Sequence, residues 1–359
     1  VVVAGTHGKT TTATFCATVL REAGRDPGWF IGGMPLDLPR SYALGRGREF
    51  VLEGDEYDSA YFDKEAKFFH YCPQALLLNA VEFDHADIYR DLDHVKQSFE
   101  RLIGLLPDGA PLLVCADFPH AVDVAKRAGK PFLTFSDDPS RGADWSVRGL
   151  ADTAEGLRFV AAGPGEEIAL TTPLLGTMNA RNVLGVTAIA RALGVDADAI
   201  RRAAAGFHGV RRRQQVLLAQ PVTLIDDFAH HPTAIAATIA AVRSRYPGRR
   251  LWAMFDPRSN TSRRRTFQRE IGEALGLADR VIVGPVHNLG QLAESERFST
   301  DEAARDAART AQSACALDSH DAVAELVERE AQPGDVVVAL SNGAFGGVVA
   351  RLAKSLAAV

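Results

Sequence analysis

The sequence predicts an α/β protein of two domains, a central P-loop-type domain with a mostly parallel sheet and a small β-insert, followed by a Rossmann-like domain. Apolar runs of strand length alternate with helical patterns along all 359 residues, which is typical of parallel sheets with crossover helices. A glycine-rich turn joins the first apolar run to the first helical pattern. A run of three arginines at 211–213 breaks that pattern, and the α/β rhythm restarts after it. We therefore expect domains at 1–209 and 210–359.

The composition is that of an ordinary globular protein. Charged residues make up 24% of the chain, hydrophobic residues 47%, and the formal net charge is −5. This charge gives no reason to expect nucleic acid as a partner, and no apolar run reaches the roughly 18 residues that a membrane span needs. The four cysteines are far apart without a C-x-x-C pair. We therefore expect a reducing compartment, the cytoplasm, and neither structural zinc nor a disulfide framework. The oligomeric state is left open.

The first elements form a candidate phosphate site. Val1–Ala4 predicts a strand end, and the run from Thr10 to Leu20 predicts a helix. Between them, glycines at positions 5 and 8 allow the backbone to approach a ligand closely, and the free N–H groups of the helix favour an anion. In this reading Lys9 reaches the outer phosphates and the Thr10 hydroxyl lies where Mg²⁺ is held. The usual longer P-loop would need a glycine at position 3, where this chain has valine.

The rest of the first domain follows in order. "EFVLEGDE" and "QALLLNAVEFDH" predict strands that end in polar loops, "HVKQSFERLIGLL" a helix, and "APLLVCAD" a strand. Short alternating runs with glycine turns between about Asp144 and Thr172 predict a small antiparallel β-insert. "NARNVLGVTAIARALGV" then predicts an amphipathic helix.

The second domain repeats the rhythm. "PVTLIDD", "RRLWAMFD", "DRVIVGP" and "GDVVVALS" predict strands, and "HPTAIAATIAAVRSRY" predicts a helix. The alanine-rich segment from Asp301 to Ala316 predicts a further helix. No internal repeat or low-complexity tract stands out.

Polar groups follow several of these strands, at the edge where open α/β sheets bind their ligands. Glu53 and His85 are the first-domain candidates for metal ligands, although acidic loops are often merely solvated and a lone histidine is more often a packing residue. In the second domain Arg258 could bind a carboxylate through two parallel hydrogen bonds. "SNGAFGG" could form a backbone anion nest, or simply a tight turn.

Six segments resemble, in order, the motifs of the Mur ligases, which are ATP-dependent enzymes that form amide bonds in bacterial peptidoglycan synthesis. The segments are "GTHGKTTT", "EGDEYD", "NAVEFDHAD", "MNARN", "FHGVRRR" and "DDFAHHPT". The resemblance explains the short phosphate loop, since the family carries G-T-x-G-K-T. It implies ATP and Mg²⁺ as cofactors.

The resemblance also implies roles for single residues. Lys9, Glu53, His85 and Arg213 would be catalytic, and metal would be held by Thr10, Glu53 and His85. The nucleotide would be bound by Gly5, Thr6, His7, Gly8, Lys9, Thr10, Thr11, Asn179, Asn182, Arg213 and Asp227, with the two asparagines on the adenine. The incoming substrate would be bound by His231, Arg258, Ser259, Asn260, Ser341, Asn342 and Gly343.

Within the family, "EYDSAYFDKEAKFFHYCP", "DPRSNTSRRRTF" and "SNGAFGG" resemble the recycling branch. Its members join L-alanyl-γ-D-glutamyl-meso-diaminopimelate, the murein tripeptide, to UDP-N-acetylmuramate through an acyl phosphate. The alternatives are the branch that adds L-alanine and, from another class, a nucleotide-binding module without catalysis. Full-length members also carry an N-terminal UDP-binding domain, which we expect to be missing here.

Two positions depart from the family pattern. Met178 stands where members usually have a histidine before the adenine motif, which changes the contacts available there. Lys96 matches only loosely the lysine that some relatives carry as a carbamylated metal bridge, so no carbamylation is predicted.

Overall fold

The computed structural model describes residues 1–153, 155–288, 290 and 292–358. The chain divides into two compact units, Val1–Arg211 and Arg212–Val359. Each unit is built on a largely parallel sheet with helices, so the predicted α/β fold class is confirmed. Which function belongs to which unit stays a prediction. Within the described residues, no helix is both long and apolar enough to cross a lipid bilayer.

The first unit alternates strands and helices as predicted. Its strands are β1 (Val2–Ala4), β2 (Gly28–Phe30), β3 (Tyr42–Ala43), β4 (Phe50–Gly54), β5 (Asp58–Ala60), β6 (Asp63–Ala66), β7 (Leu76–Leu78), β8 (Leu112–Cys115), β9 (Leu133–Ser136), β10 (Trp145–Thr153), β11 (Gly156–Gly163) and β12 (Glu166–Thr172). Its helices are α1 (Lys9–Glu22), α2 (Leu92–Gly104), α3 (Pro119–Ala128), α4 (Thr177–Ala192) and α5 (Ala197–Ala205).

The order of strands in the main sheet is β3-β2-β4-β1-β7-β8-β9-β10-β11-β12. From β2 to β10 the neighbours run parallel. In the centre, Ala4 of β1 pairs with Gly54 of β4 and with Leu78 of β7. The chain therefore leaves all three strands at one edge of the sheet, which is where such sheets bind ligands.

The predicted antiparallel insert is present as β10, β11 and β12. In it, β11 pairs antiparallel with both β10 and β12. It is not a separate sheet, because β10 pairs parallel with β9 and so continues the main sheet. The β11–β12 connection is the two-residue turn Pro164–Gly165, with Gly165 at φ 77°. That positive φ suits the glycine of a Pro-Gly turn.

Apolar side chains cover both faces of this sheet. Because neighbouring strand residues point to opposite faces, Val3 and Leu77 pack with α1, α4 and α5, while Val2 and Leu76 pack with α2 and α3. These two layers fix the central strands on either side. The edge that carries the phosphate loop is thereby rigidly supported.

The second unit has strands β13 (Gln215–Leu218), β14 (Thr223–Asp227), β15 (Leu251–Phe255), β16 (Arg280–Val283), β17 (Ser313–Ala316) and β18 (Val336–Leu340). Its helices are α6 (Pro232–Arg245), α7 (Gln268–Leu275), α8 (Thr300–Ala307), α9 (His320–Glu330) and α10 (Val348–Ser355). The sheet order is β13-β14-β18-β15-β16-β17. Only β13 pairs antiparallel among these described strands.

One predicted helix is wrong in its second half. The alanine-rich segment from Asp301 to Ala316 was expected to be helical throughout, but α8 ends at Ala307 and Ser313–Ala316 forms β17. This stretch pairs parallel with β16, from Arg280 to Val283. Alanine has the highest helix propensity, but propensity is a weak preference, and pairing with a sheet edge overrides it here.

Candidate active site

The phosphate loop is a glycine-dependent turn between β1 and α1. Gly5 and Gly8 have φ values of 128° and 79°, in the region that favours glycine. A Cβ on Gly5 would lie 2.8 Å from the Ala80 carbonyl oxygen, and one on Gly8 would lie 2.8 Å from Asn182 Oδ1. Gly8 caps α1, so the first N–H groups of the helix face out of the loop. This arrangement is one that binds phosphate.

Gly5 provides a direct test of that packing. We expect Gly5→Ala to lower the free energy of unfolding by about 2–6 kcal/mol, because backbone strain and overpacking contribute roughly 1–3 kcal/mol each. The matched control is Gly24→Ala, since Gly24 also has a positive φ of 72° but no described heavy atom within 4 Å of its Cβ position. The control should cost only about 1–2 kcal/mol of strain. Urea unfolding followed by circular dichroism measures both, and equal losses would contradict the packing argument.

Lys9 begins α1 and turns back over the loop. Its Nζ donates to the Gly5 carbonyl oxygen at 2.7 Å and to Glu56 Oε1 at 2.7 Å. The ammonium group is therefore held against the carbonyl oxygens of the loop, which include that of Thr6 at 3.3 Å. Its buried carboxylate partner, Glu56, keeps it in place.

Glu56 is the centre of the site. It is 2% exposed, and its Oε1 lies 2.7 Å from Lys9 Nζ and 2.8 Å from His85 Nε2. Its Oε2 is buried and has no hydrogen-bond partner among the described residues. The Tyr89 hydroxyl donates to the Glu56 carbonyl oxygen at 2.8 Å and fixes the backbone. A buried carboxylate oxygen that is left unpaired beside a phosphate loop is suited to a metal ion.

A second carboxylate, that of Glu53, contacts the threonine hydroxyl of the phosphate loop. Thr10 Oγ1 donates to Glu53 Oε1 at 2.7 Å, and the Gly32 N–H donates to Glu53 Oε2 at 2.7 Å. Thr10 and Thr11 are both buried. The structure therefore brings Thr10 and Glu53 together, as the prediction of a magnesium site at these residues requires.

The remaining loop residues contact the end of the neighbouring strand. Thr6 Oγ1 donates to the Glu82 carbonyl oxygen at 3.1 Å, and His7 Nε2 lies 2.9 Å from Glu82 Oε2. The Glu82 N–H donates to Thr6 Oγ1 in return, at 3.0 Å. This segment leads directly to His85.

The predicted adenine asparagines lie on the first turns of α4. Asn182 Nδ2 donates to Asn179 Oδ1 at 3.2 Å, and Asn179 Nδ2 donates to the Leu175 carbonyl oxygen at 2.8 Å. Both side chains are buried. Since Asn182 Oδ1 is the neighbour that a Cβ on Gly8 would meet, the asparagine pair lies against the phosphate loop.

The buried Glu56–His85 pair shifts both pKa values. Burial raises the pKa of the Glu56 carboxyl, but Lys9 and His85 outweigh it through charge and hydrogen bonds, so the pKa falls below its ordinary 4.5. Burial lowers the pKa of His85, but the hydrogen bond and charge of Glu56 outweigh it, so the pKa lies above its ordinary 6.5. Both shifts favour the charged forms, a Glu56 carboxylate beside a protonated His85.

These shifts predict a pH window for stability. Glu56 stabilises the fold above pH 4.5, and this contribution is lost as pH falls through its lowered folded pKa. His85 stabilises it below pH 6.5, and this contribution is lost as pH rises through its raised folded pKa. The stabilisation by the pair is therefore greatest between these two values.

We expect the melting temperature of wild type to exceed that of His85→Gln most within this window and progressively less towards alkaline pH. The difference in melting temperature amounts to about 2–4 °C for each kcal/mol by which the variant lowers the free energy of unfolding. Calorimetry with a chelator present measures it. His208→Gln, which removes an exposed histidine–aspartate pair of the same unit, is the control. A gap that does not change with pH would contradict the assigned shifts.

In the second unit, the predicted residues at the end of β14 form a buried cluster. Asp227 accepts hydrogen bonds from the Gln214 N–H and the Ala229 N–H, each at 2.7 Å. Burial raises the pKa of Asp227, and the charge of Arg213 offsets this only in part. The Arg213 guanidinium lies over the Phe228 ring, 4.4 Å from its centre. Asp227 and Arg213 are thus brought together.

His231 has a structural contact of its own. Its Nδ1 accepts from the Thr233 N–H at 3.3 Å as the N-cap of α6, and its ring centre lies 4.8 Å from that of Phe267. The predicted substrate role of His231 stays a prediction.

The segments "DPRSNT" and "SNGAFGG" meet at the ends of β15 and β18. A Cβ on Gly343 would collide with the Arg258 side chain, so Arg258 lies directly against this turn. Ser341 Oγ donates to the buried Asp256 Oδ2 at 2.7 Å. Arg212 Nη2 donates to the carbonyl oxygens of Ser341 and Gly343. An arginine beside a fixed turn can bind a carboxylate.

The side chains of Ser259 and Asn260 form hydrogen bonds within their own turn. Ser259 Oγ donates to Ser262 Oγ at 2.8 Å, and Asn260 Oδ1 accepts from Arg263 Nη2 at 2.6 Å. In Asn342, Oδ1 is buried without a hydrogen-bond partner among the described residues. The substrate contacts assigned to these three residues stay predictions.

Sequence reasoning missed Glu56. It chose Glu53 from the same acidic run, yet Glu56 is the carboxylate that contacts both Lys9 and His85. The available signal was position, because β4 ends at Gly54 and ligand groups lie beyond the carboxyl ends of parallel strands. Glu53 remains a candidate through its contact with Thr10.

Two family descriptions match the chain. "Mur ligase middle domain" matches residues 3–190, and "Mur ligase, glutamate ligase domain" matches residues 211–343.

Relatives match almost the whole chain. A UDP-N-acetylmuramate–L-alanyl-γ-D-glutamyl-meso-2,6-diaminoheptandioate ligase of Escherichia coli (strain K12) is 37% identical, over 99% of this chain and 75% of the relative. A UDP-N-acetylmuramate–L-alanine ligase of Burkholderia multivorans is 34% identical, over 99% of this chain and 76% of the relative. Among solved structures, a murein peptide ligase from Psychrobacter arcticus has a TM-score of 0.72 at 30% identity and covers 100% of this chain and 77% of its own.

Proposed function

We propose, from the premise that this chain belongs to the Mur ligase family, that it joins L-alanyl-γ-D-glutamyl-meso-diaminopimelate to UDP-N-acetylmuramate at the expense of ATP. The family that six motifs predicted is thereby confirmed. The observation that carries the chemistry is the convergence of Lys9, Glu56 and His85 at the phosphate loop. The substrate pair comes from the 37% identical relative that carries it in its name.

The reaction takes two steps. The lactyl carboxylate of UDP-N-acetylmuramate attacks the γ-phosphorus of ATP, which gives an acyl phosphate and ADP. The α-amine of the tripeptide then attacks the acyl carbon, forms the amide and expels inorganic phosphate. Both steps depend mainly on positioning and on neutralising negative charge.

The chain offers residues for each of these tasks. The N–H groups at the start of α1 and the Lys9 ammonium would hold the outer phosphates of ATP and balance their charge. Lys9 can exchange its contact with Glu56 for a phosphate oxygen, because both acceptors are anionic. Asn179 and Asn182, which lie against Gly8, would bind the adenine.

The residues present also fit Mg²⁺. The fit rests on the unpaired, buried Glu56 Oε2 and on the Thr10 hydroxyl beside Glu53. Thr10 and Glu53 would hold one ion, and Glu56 with His85 a second. Such ions supply charge neutralisation at the transferring phosphoryl group. His85 must be neutral to bind metal.

We also assign ligand contacts to residues of the second unit. Arg213 and Asp227 would contact the nucleotide, while Arg258 and the Ser341–Gly343 turn would bind the tripeptide, with Arg258 on one of its carboxylates. In this proposal residues 1–209 form the ATP-binding domain and residues 210–359 the domain for the incoming peptide. An ATP-consuming enzyme with four free cysteines suits the cytoplasm, the compartment we propose.

The test is a comparison of amine substrates. The complete natural protein is purified and given ATP, Mg²⁺ and UDP-N-acetylmuramate with either the tripeptide or free L-alanine, and phosphate release is measured. We expect phosphate release with the tripeptide and close to none with alanine. Turnover with alanine alone would favour the alanine-adding activity, which the 34% identical relative carries in its name. If the protein binds nucleotide but releases no phosphate with either amine substrate, it is a nucleotide-binding module without catalysis.

A further inference from the structure

A loop that follows β2 contacts the proposed magnesium site. We call its residues, 32–37, the glycine loop. The Gly32 N–H donates to Glu53 Oε2 at 2.7 Å, while Glu53 Oε1 accepts from Thr10 Oγ1 at 2.7 Å. Both oxygens of this carboxylate thus accept a hydrogen bond, one from the glycine loop and one from the phosphate loop. A cation bound to Glu53 would therefore act on both loops.

Gly33, the next residue of the glycine loop, packs against the same threonine. A Cβ at position 33 would lie 2.6 Å from Thr10 Cγ2 and 2.8 Å from Val210 Cγ1, which is closer than Cβ atoms come to such groups. Gly33 does not have a positive φ, so close packing and not backbone conformation accounts for the glycine. The methyl groups of Thr10 and Val210 take up the space of a side chain.

Val210 belongs to residues 208–211, the last segment of the first unit, which we call the exit segment. Val210 is buried and forms an antiparallel bridge with Pro35 of the glycine loop. Two backbone hydrogen bonds flank this bridge, from the Leu36 N–H to the Gly209 carbonyl oxygen at 3.0 Å and from the Arg211 N–H to the Met34 carbonyl oxygen at 2.9 Å. The exit segment is thus paired with the glycine loop.

Asp37 holds the other end of the exit segment. Its Oδ2 accepts from the His208 N–H at 2.6 Å, and its Oδ1 lies 2.7 Å from His208 Nδ1. The chain enters the second unit at Arg212. The stretch by which the chain leaves the first unit is therefore bonded along its length to the loop that contacts Thr10 and Glu53.

We propose that the glycine loop positions Thr10 and Glu53 for Mg²⁺ and couples this metal site to the exit segment, with Gly33 at the point of contact. This inference rests on the proposed function, which takes Mg²⁺ and ATP as ligands of the phosphate loop. Gly33 and Val210 act through Thr10 and are positioning residues. Such coupling is reciprocal. An ion that fixes Thr10 and Glu53 also fixes the exit segment, and a disturbed contact at Gly33 weakens the binding of the ion.

The first test is kinetic and uses the complete natural protein. We expect Gly33→Ala to raise the Mg²⁺ concentration for half-maximal rate about tenfold. The kcat at saturating Mg²⁺ and the KM for the tripeptide should stay within about threefold of wild type. The matched control is Gly104→Ala, because Gly104 also lacks a positive φ but has no described heavy atom within 4 Å of its Cβ position. Equal Mg²⁺ requirements in the two variants would overturn the proposal.

A second substitution identifies the contact. Val210→Ala removes one of the two methyl groups that the added Cβ would meet, so Gly33→Ala/Val210→Ala should need less Mg²⁺ than Gly33→Ala alone. Val147→Ala, the same change at a buried valine of β10, should give no such rescue. A general loss of stability predicts the opposite order, because a further core truncation destabilises the protein further. Failure of the rescue would show that Gly33 does not link the metal site to the exit segment.

The last test needs neither turnover nor a substitution in the glycine loop. Hydrogen–deuterium exchange is measured in the presence of ADP, with and without Mg²⁺. We expect Mg²⁺ to slow the exchange of the Leu36 and Arg211 amides, which join the glycine loop to the exit segment, and we expect Val210→Ala to lose this slowing. The Thr134 N–H, which donates to an aspartate of the same unit, should not respond. No slowing, or equal slowing in wild type and Val210→Ala, would overturn the coupling.

These outcomes separate the inference from the proposed function. If wild type catalyses ligation but neither the Mg²⁺ requirement nor the exchange rates respond as described, the inference is wrong and the proposed function stands. If wild type ligates neither amine substrate, the exchange experiment decides alone. Slowing that is confined to wild type then supports the coupling, and its absence rejects it.

Discussion

Replacing Lys9 with methionine is expected to lower kcat for ligation by about 10³-fold or more, because catalysis of phosphoryl transfer is almost wholly positioning and charge neutralisation. Methionine keeps most of the length of the side chain but removes the ammonium group that lies between the loop and Glu56. The KM for the tripeptide should change little, since its proposed contacts are Arg258 and the Ser341–Gly343 turn and do not include Lys9. Single-turnover phosphate release measures the loss of the chemical step directly.

Lys130→Met is the matched control. Lys130 forms a surface pair with Asp108 at 2.6 Å, and exposed pairs of this kind contribute about 0–1 kcal/mol to stability. This variant should retain wild-type kcat. If Lys9→Met kept activity within about tenfold of wild type, the assignment of Gly5–Thr10 as the phosphate loop would fail.

Glu56→Gln is expected to have the second largest effect, a fall in kcat of about 10²–10³-fold. The amide keeps the shape of the side chain but removes the charge that Lys9 and His85 share, as well as a carboxylate ligand for Mg²⁺. Breaking a buried pair by neutralising one partner typically costs about 3–5 kcal/mol. We therefore also expect a lower melting temperature in the presence of a chelator.

The comparison that decides between the two carboxylates is Glu53→Gln. Glu53 accepts hydrogen bonds from Thr10 Oγ1 and from the Gly32 N–H. None of its described hydrogen bonds involves Lys9 or His85. Its variant should lose less activity than Glu56→Gln and should need more Mg²⁺ for half-maximal rate. A larger loss with Glu53→Gln would show that the central role assigned to Glu56 is mistaken.

The glycine turn between β1 and α1 could be predicted from sequence because its determinants are local. Two glycines, a lysine and a threonine between a strand and a helix specify the turn by backbone geometry alone. The same holds for β15 and β18, whose continuous apolar runs mark buried parallel strands. Here pattern and structure agree.

Other features depend on contacts distant in sequence. Glu53 and Glu56 are equivalent as residue types, and only the fold shows that Lys9 and His85, which are far apart in the chain, both reach Glu56. The segment Ser313–Ala316 has helical composition but forms a strand because β16 offers it an edge. The hairpin of β5 and β6 was missed because its turn, Tyr61–Phe62, lacks the usual glycine or asparagine.

The position of the Pro164–Gly165 turn in the sheet has a practical consequence. Its strand β11 lies five positions from β1 in the sheet order, or about 24 Å at the usual strand spacing. A dye, a biotin or a surface tether attached at this turn would thus be far from the phosphate loop and joined to it through continuous sheet. Optical or force measurements on immobilised molecules could use this handle and leave catalysis undisturbed.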